Sequence, residues 1–112
     1  MEITTTVENG VCIAALNGKF DTASSVGAES KLMGLLDEGK NHMLLDFSDV
    51  AYIASSGLRV LLKLAQRLKT EGGQLRLCSV NESVGEVLRI SGFDKILDVF
   101  AGRQPALEEF PG

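Results

Sequence analysis

Short apolar runs alternate with helix-length segments along this chain, and that alternation constrains its fold more than any other feature. Residues 11–16, 43–47, 75–80 and 96–100 are too short for buried helices and are bounded by turn formers, so they read as strands. The segments between them carry apolar residues near a 3.6 period. In the first, Asp21 is placed to cap a helix through Val26, Leu32, Met33, Leu35 and Leu36, which Gly39 closes. In the second, a helix opening at Ser55-Ser56-Gly57 puts Leu58, Leu61, Leu62, Ala65 and Leu68 on one face, widened by Val60 and Leu64. Arg59, Lys63, Gln66, Arg67 and Thr70 fall on the other face, and Gly72-Gly73 stops the helix. Asn81 caps a third helix through Val84, Val87 and Leu88 that ends at Gly92, and Gln104-Pro105 opens a small fourth one.

The first strand is different in kind. Ile3, Thr5 and Val7 alternate with Glu2, Thr4 and Thr6, and Asn9-Gly10 then supplies the positive-φ pair of a tight hairpin. Residues 11–16 are apolar on both faces, which suits a strand inside a sheet. Later strands are joined by helices and should be parallel, with only the first antiparallel. The expected fold is an α/β domain with a mixed, mostly parallel sheet and about four helices, formed by residues 1–112 as a single domain.

Composition narrows the function. Of the 112 residues 45% are hydrophobic and 23% charged, which suits a packed globular domain rather than a disordered chain. A net charge of -4 opposes nucleic-acid binding, which needs clustered Lys and Arg. No apolar run spans a bilayer, and the N-terminal residues MEITTTVENG lack the basic start and apolar core of a signal peptide, so a cytoplasmic protein is expected. Cys12 and Cys78 lie in strand-like segments and read as reduced core thiols. With one histidine, His42, and no CxxC, neither a metal site nor a cofactor is expected. The absence of a heptad pattern favours a monomer when the protein is free.

Residues 46–62, DFSDVAYIASSGLRVLL, hold the functional signal. A loop over 48–54 would leave two adjacent hydroxyls and a glycine at a helix start, just past a strand's C-terminal end, where α/β proteins tend to place ligands and reacting groups. The positive end of the helix dipole favours an anion there by about 0.3–1 kcal/mol. Ser55 or Ser56 is equally suited to cap the helix, and one can cap while its neighbour stays exposed. Asp46 and Asp49 do not form a receiver-type phospho-acceptor pair, because the acidic pair expected after the first strand of a receiver is missing.

This segment resembles the signature of STAS domains of the bacterial anti-sigma factor antagonist family: an apolar strand ending in Asp, a short loop, then Asp-Ser-Ser/Thr-Gly-Leu opening a helix. Ser55, Ser56, Gly57 and Leu58 match that pattern, while Ala54 stands where the family often has Asp. Gly18-Lys19-Phe20-Asp21 is similar to the family's Gly-x-Leu-Asp, and LRISGFDKILDVF (88–100) to its Gly-Leu-x-x-x-Leu segment. The resemblance implies a STAS-type fold and a protein that binds an anti-sigma factor serine kinase and releases a sigma factor. Phosphorylation of Ser55, less readily Ser56, then blocks binding, and a metal-dependent serine phosphatase reverses it. The implied contact surface comprises Asp21, Asp49, Ala54, Ser55, Ser56, Gly57, Leu58 and Arg59. Asp21 is equally readable as a cap, and the Arg59-Lys63-Arg67 row as a solvated helix face or an attractor of an acidic partner. The alternative is an accessory STAS subunit on the ATPase of an ABC lipid-transport complex. Catalysis by the chain itself is not expected: Ile53 stands where a Gly-x-Ser-x-Gly elbow needs its first glycine, and no Walker A pattern occurs.

Overall fold

In the computed structural model, which describes residues 1–108 and 110, Asn9 and Gly10 take φ of 53° and 78° and form the expected two-residue hairpin. They join β1 (Glu2–Glu8) to β2 (Val11–Phe20). The chain continues through α1 (Thr22–Asp37), β3 (His42–Ile53), α2 (Ser55–Thr70), β4 (Gln74–Cys78) and α3 (Glu82–Ser91). A 3-10 turn at Phe93–Lys95, β5 (Asp98–Phe100) and α4 (Arg103–Leu107) complete it. The five strands form one sheet in sequence order, with β1–β2 antiparallel and the rest parallel.

Over residues 11–16 of β2 and 43–47 of β3 both faces are covered, which explains the near-continuous apolar runs there. On one face Cys12, Ala14, Leu16, Met43, Leu45 and Phe47 pack under α1, α2 and α3. On the other, Val11, Ile13, Leu44 and Cys78 meet Ala106 and Leu107 of α4. Both thiols are buried and unbridged, and burial pushes their pKa values up.

Three expectations need correction. β2 runs to Phe20 and β3 to Ile53, so most of the expected 48–54 loop is strand. The inward residues of this extension are Phe47, Val50 and Ile53, three apart rather than two, because the β2–β3 register shifts between Ala15 and Asn17 and again between Gly18 and Phe20. These irregularities break the alternation by which a strand is recognised. In α2 the fully buried face is Gly57, Val60, Leu61, Leu64 and Leu68, while Leu58, Leu62 and Ala65 are half-buried. In α1, Val26 points outward, at 76% exposure.

Two buried charges, unremarked in the apolar pattern, tie α4 to its face. Arg76 donates to the carbonyls of Ala106 (3.0 Å) and Glu108 (2.6 Å), and its guanidinium lies 4.9 Å from the Phe100 ring centre. Asp46 accepts from the Ser48 N–H (2.9 Å) and from Arg103 (2.7 Å). Burial alone would raise its pKa, but the Ser48 N–H and the Arg103 guanidinium outweigh it and hold the carboxyl below its ordinary value. A folded-state pKa below the unfolded one means a stabilisation fully present above pH ~4 and lost as pH falls through the folded value. Asp46→Asn is therefore expected to lower the urea midpoint at neutral pH, by about 1–3 kcal/mol of stability. It should also flatten the acid limb of the stability–pH curve. An unchanged acid limb would separate Asp46 from the acid sensitivity.

Candidate functional site

The β2–β3 register brings two helix starts together. Phe20 pairs with Ile53, and the next residue of β3's chain, Ala54, donates its N–H to the Phe20 carbonyl at 2.9 Å. Asp21 and Ala54 therefore stand side by side at the sheet's edge, and α1 and α2 leave from there. Segments more than thirty residues apart thus form one surface.

Asp21 is a cap. Its backbone is extended (φ -113°, ψ -173°), its carboxylate accepts the Ser24 N–H at 3.0 Å, and the Ser24 hydroxyl accepts the Asp21 N–H at 3.0 Å. This is a capping box with serine in place of the usual Glu or Gln. The Ser24 N–H is the main reason its carboxyl titrates below the ordinary aspartate range.

The start of α2 corrects the capping expectation. Neither serine caps; the N-cap is Ala54, extended at φ -95°, ψ 172°, whose methyl group accepts nothing. Ser55 and Ser56 occupy the first two helical positions. The first helical bond is from Leu58 N–H to the Ala54 carbonyl at 3.1 Å, so the N–H groups ahead of it have no acceptor within the helix. Ser56 Oγ lies 3.3 Å from Thr22 Oγ1, a hydroxyl pair bridging the two helix starts. Ser55 is exposed, and among the described residues its hydroxyl has no hydrogen-bond partner. The two serines, indistinguishable by spacing, are separated by their surroundings.

Gly57 is needed for proximity. A Cβ built on it would lie 2.8 Å from Ile53 Cγ1, 2.9 Å from Phe20 Cδ1 and 2.9 Å from the Phe20 carbonyl oxygen. The first turn of α2 thus rests directly on the β2 backbone, which seats Ser55 at the rim.

The remaining candidate residues divide. Leu58 is half-buried against the core, and Asp49 is exposed on β3, paired through its backbone with Asn17. The basic row lies on the solvent side of α2, and two of its members are paired there: Lys63 with Glu29 (3.3 Å), and Arg67 with Asp37 (2.6 Å) and Glu71 (3.0 Å). Arg59 is exposed and has no acidic partner among the described residues. Thr22 escaped the sequence reading; its only signal was a hydroxyl directly after a capping Asp. Among the described residues there is no cluster of three or more His, Cys, Asp or Glu that could hold a metal ion, and no helix long and apolar enough to cross a membrane.

The STAS domain family matches residues 2–106. The Bordetella bronchiseptica protein BtrV, named for the anti-sigma factor antagonists, is 36% identical over 110 residues, covering 98% of this chain and 95% of BtrV. The anti-sigma-B factor antagonist of Bacillus subtilis is 30% identical over 84 residues, covering 75% of this chain and 76% of that protein. A crystal structure from Thermotoga maritima, also of a protein named as an anti-sigma factor antagonist, superposes with a TM-score of 0.93 at 26% identity, covering 96% and 93% of the two chains. These relatives carry the names of regulatory antagonists, not enzymes, and do not favour the transporter-subunit alternative. With the match running nearly end to end and the Ser-Ser-Gly-Leu turn at its expected place, this chain belongs to the STAS family, among the anti-sigma factor antagonists.

Proposed function

We propose that this chain works by partner switching in the cytoplasm, as a single domain that is monomeric when free. Unmodified, it binds an anti-sigma factor that is also a serine kinase, and the sigma factor is released. The observation that carries this reading is the Ser55 hydroxyl: exposed, without a hydrogen-bond partner among the described residues, and at the first position of a helix whose N-cap makes no side-chain hydrogen bond. In the modification step a Ser55 Oγ–P bond forms to the γ-phosphoryl group of ATP as the bond to the ADP leaving group breaks, and the hydroxyl proton passes to a base of the kinase. A metal-dependent serine phosphatase hydrolyses the ester and restores the hydroxyl.

The product is tolerated where it forms. A phosphoserine carries about -1.5 to -2 charges at pH 7, and the N-terminal end of α2 offers free N–H groups and the positive end of its dipole. A partner surface shaped around a hydroxyl meets instead an anion it must desolvate. Asp21, Ala54, Ser56, Gly57, Leu58 and Arg59 are assigned to the same contact surface, with Asp49 at its margin. The test is intact mass and phosphosite mapping after incubation with ATP and the serine kinase encoded nearest the gene. One phosphate on the wild type and none on Ser55→Ala is the expected result. No phosphate on the wild type, from a kinase active on another substrate, would overturn the reading.

A further inference from the structure

We infer that Arg59 is the internal partner of the Ser55 phosphate, folding back over it once the serine is modified. The inference rests on Ser55 being the modified residue, but its physical content can be measured without a kinase. Three observations converge on it. Ser55 and Arg59 are four residues apart within α2, so they share a face with Cβ atoms about 5–6 Å apart. The order is the favourable one, with the anion N-terminal to the cation. Of the three cations in the row, Lys63 and Arg67 are already held by Glu29, Asp37 and Glu71, whereas Arg59 is exposed with no acidic partner among the described residues.

A guanidinium matches a phosphate's oxygens in a bidentate way that a lysine does not, so the residue type suits the role as well as the position does. Modification would then act twice at one surface. It adds negative charge at Ser55, and it withdraws from an acidic group on the partner the one cation of the Arg59-Lys63-Arg67 row that is unpaired among the described residues. The fold itself need not move, because both groups lie on the same two turns of one helix.

The test uses the full chain with phosphoserine installed at position 55 by genetically encoded incorporation, titrated by 31P NMR. The second ionisation of the phosphate is compared among wild type, Arg59→Lys, Arg59→Gln and the control Lys69→Gln, which alters an exposed cation near the other end of α2. Lys19 and Asp21 of the adjoining junction and Asp49 and Tyr52 of β3 also bear on this ionisation, and they are the same in every variant. Arg59→Gln is expected to raise it by about 0.3 units, the size an i,i+4 ion pair supplies, with Arg59→Lys between and Lys69→Gln unchanged. Equal values for wild type and Arg59→Gln would overturn the inference, as would an equal rise in Lys69→Gln. Failure of the kinase to modify Ser55 would instead overturn the partner-switching reading and leave this measurement standing.

Discussion

Phosphoserine at position 55 is expected to weaken binding to the anti-sigma factor a few hundredfold while barely changing the fold. The figure corresponds to about 3–4 kcal/mol, the scale of a charge left uncompensated in an interface built for a hydroxyl. The helix start has unbonded N–H groups and no capping side chain for the phosphate to displace, so the thermal midpoint should move by no more than about 2–4 °C. Calorimetric titration of the unmodified, phosphorylated and Ser55→Ala chains measures the first quantity, and thermal unfolding the second. Ser55→Ala should bind within about threefold of wild type, since it removes a hydroxyl without adding charge. A phosphorylated chain that binds within tenfold of the unmodified one would show that Ser55 lies outside the contact surface. A midpoint shifted by 10 °C or more would instead make the switch a folding event.

The second large effect concerns Gly57. Gly57→Ala should destabilise the protein by about 1–3 kcal/mol, because the new methyl group would press on Ile53, the Phe20 ring and the Phe20 carbonyl, and the last of these cannot rotate away. Helix propensity alone predicts the opposite sign, since alanine is better than glycine in a helix by about 1 kcal/mol. Gly34→Ala supplies the control: Gly34 lies within α1, where an added Cβ meets nothing within 4 Å, so that variant should gain up to about 1 kcal/mol. Urea denaturation of the pair decides between packing and propensity. If both variants were stabilised, the first turn of α2 would not rest on the β2 backbone. Because that contact also seats Ser55 and Arg59 at the rim, Gly57→Ala should weaken partner binding even where the chain remains folded.

What the sequence determined follows from local and periodic physics. The order of strands and helices was legible because each apolar run is bounded by turn residues: Asn9-Gly10 can take two successive positive φ angles, and Gly39, Gly72 and Gly92 end helices in the left-handed region. The cap at Asp21 and the motif at Ser55 were legible because both depend on residue type at short spacing. The chain's own pattern did not reveal how far β2 and β3 extend, since two register shifts put Phe47, Val50 and Ile53 inward at a spacing that resembles neither strand nor loop.

Tertiary structure alone decided the rest, and in each case the reason is a contact between residues distant in the chain. Which serine is bonded depends on Thr22, which reaches Ser56 across thirty-four positions, while Ser55 has no hydrogen-bond partner among the described residues. Which cation of the row is unpaired among the described residues depends on Glu29 and Asp37 of α1 and Glu71 just past α2, which hold Lys63 and Arg67 but not Arg59. Why Gly57 must be glycine depends on the Phe20 carbonyl beneath it. The sequence thus placed a pair of serines and a glycine at a helix start through local rules, while the parallel register of β2 and β3, a non-local property, arranged their neighbours.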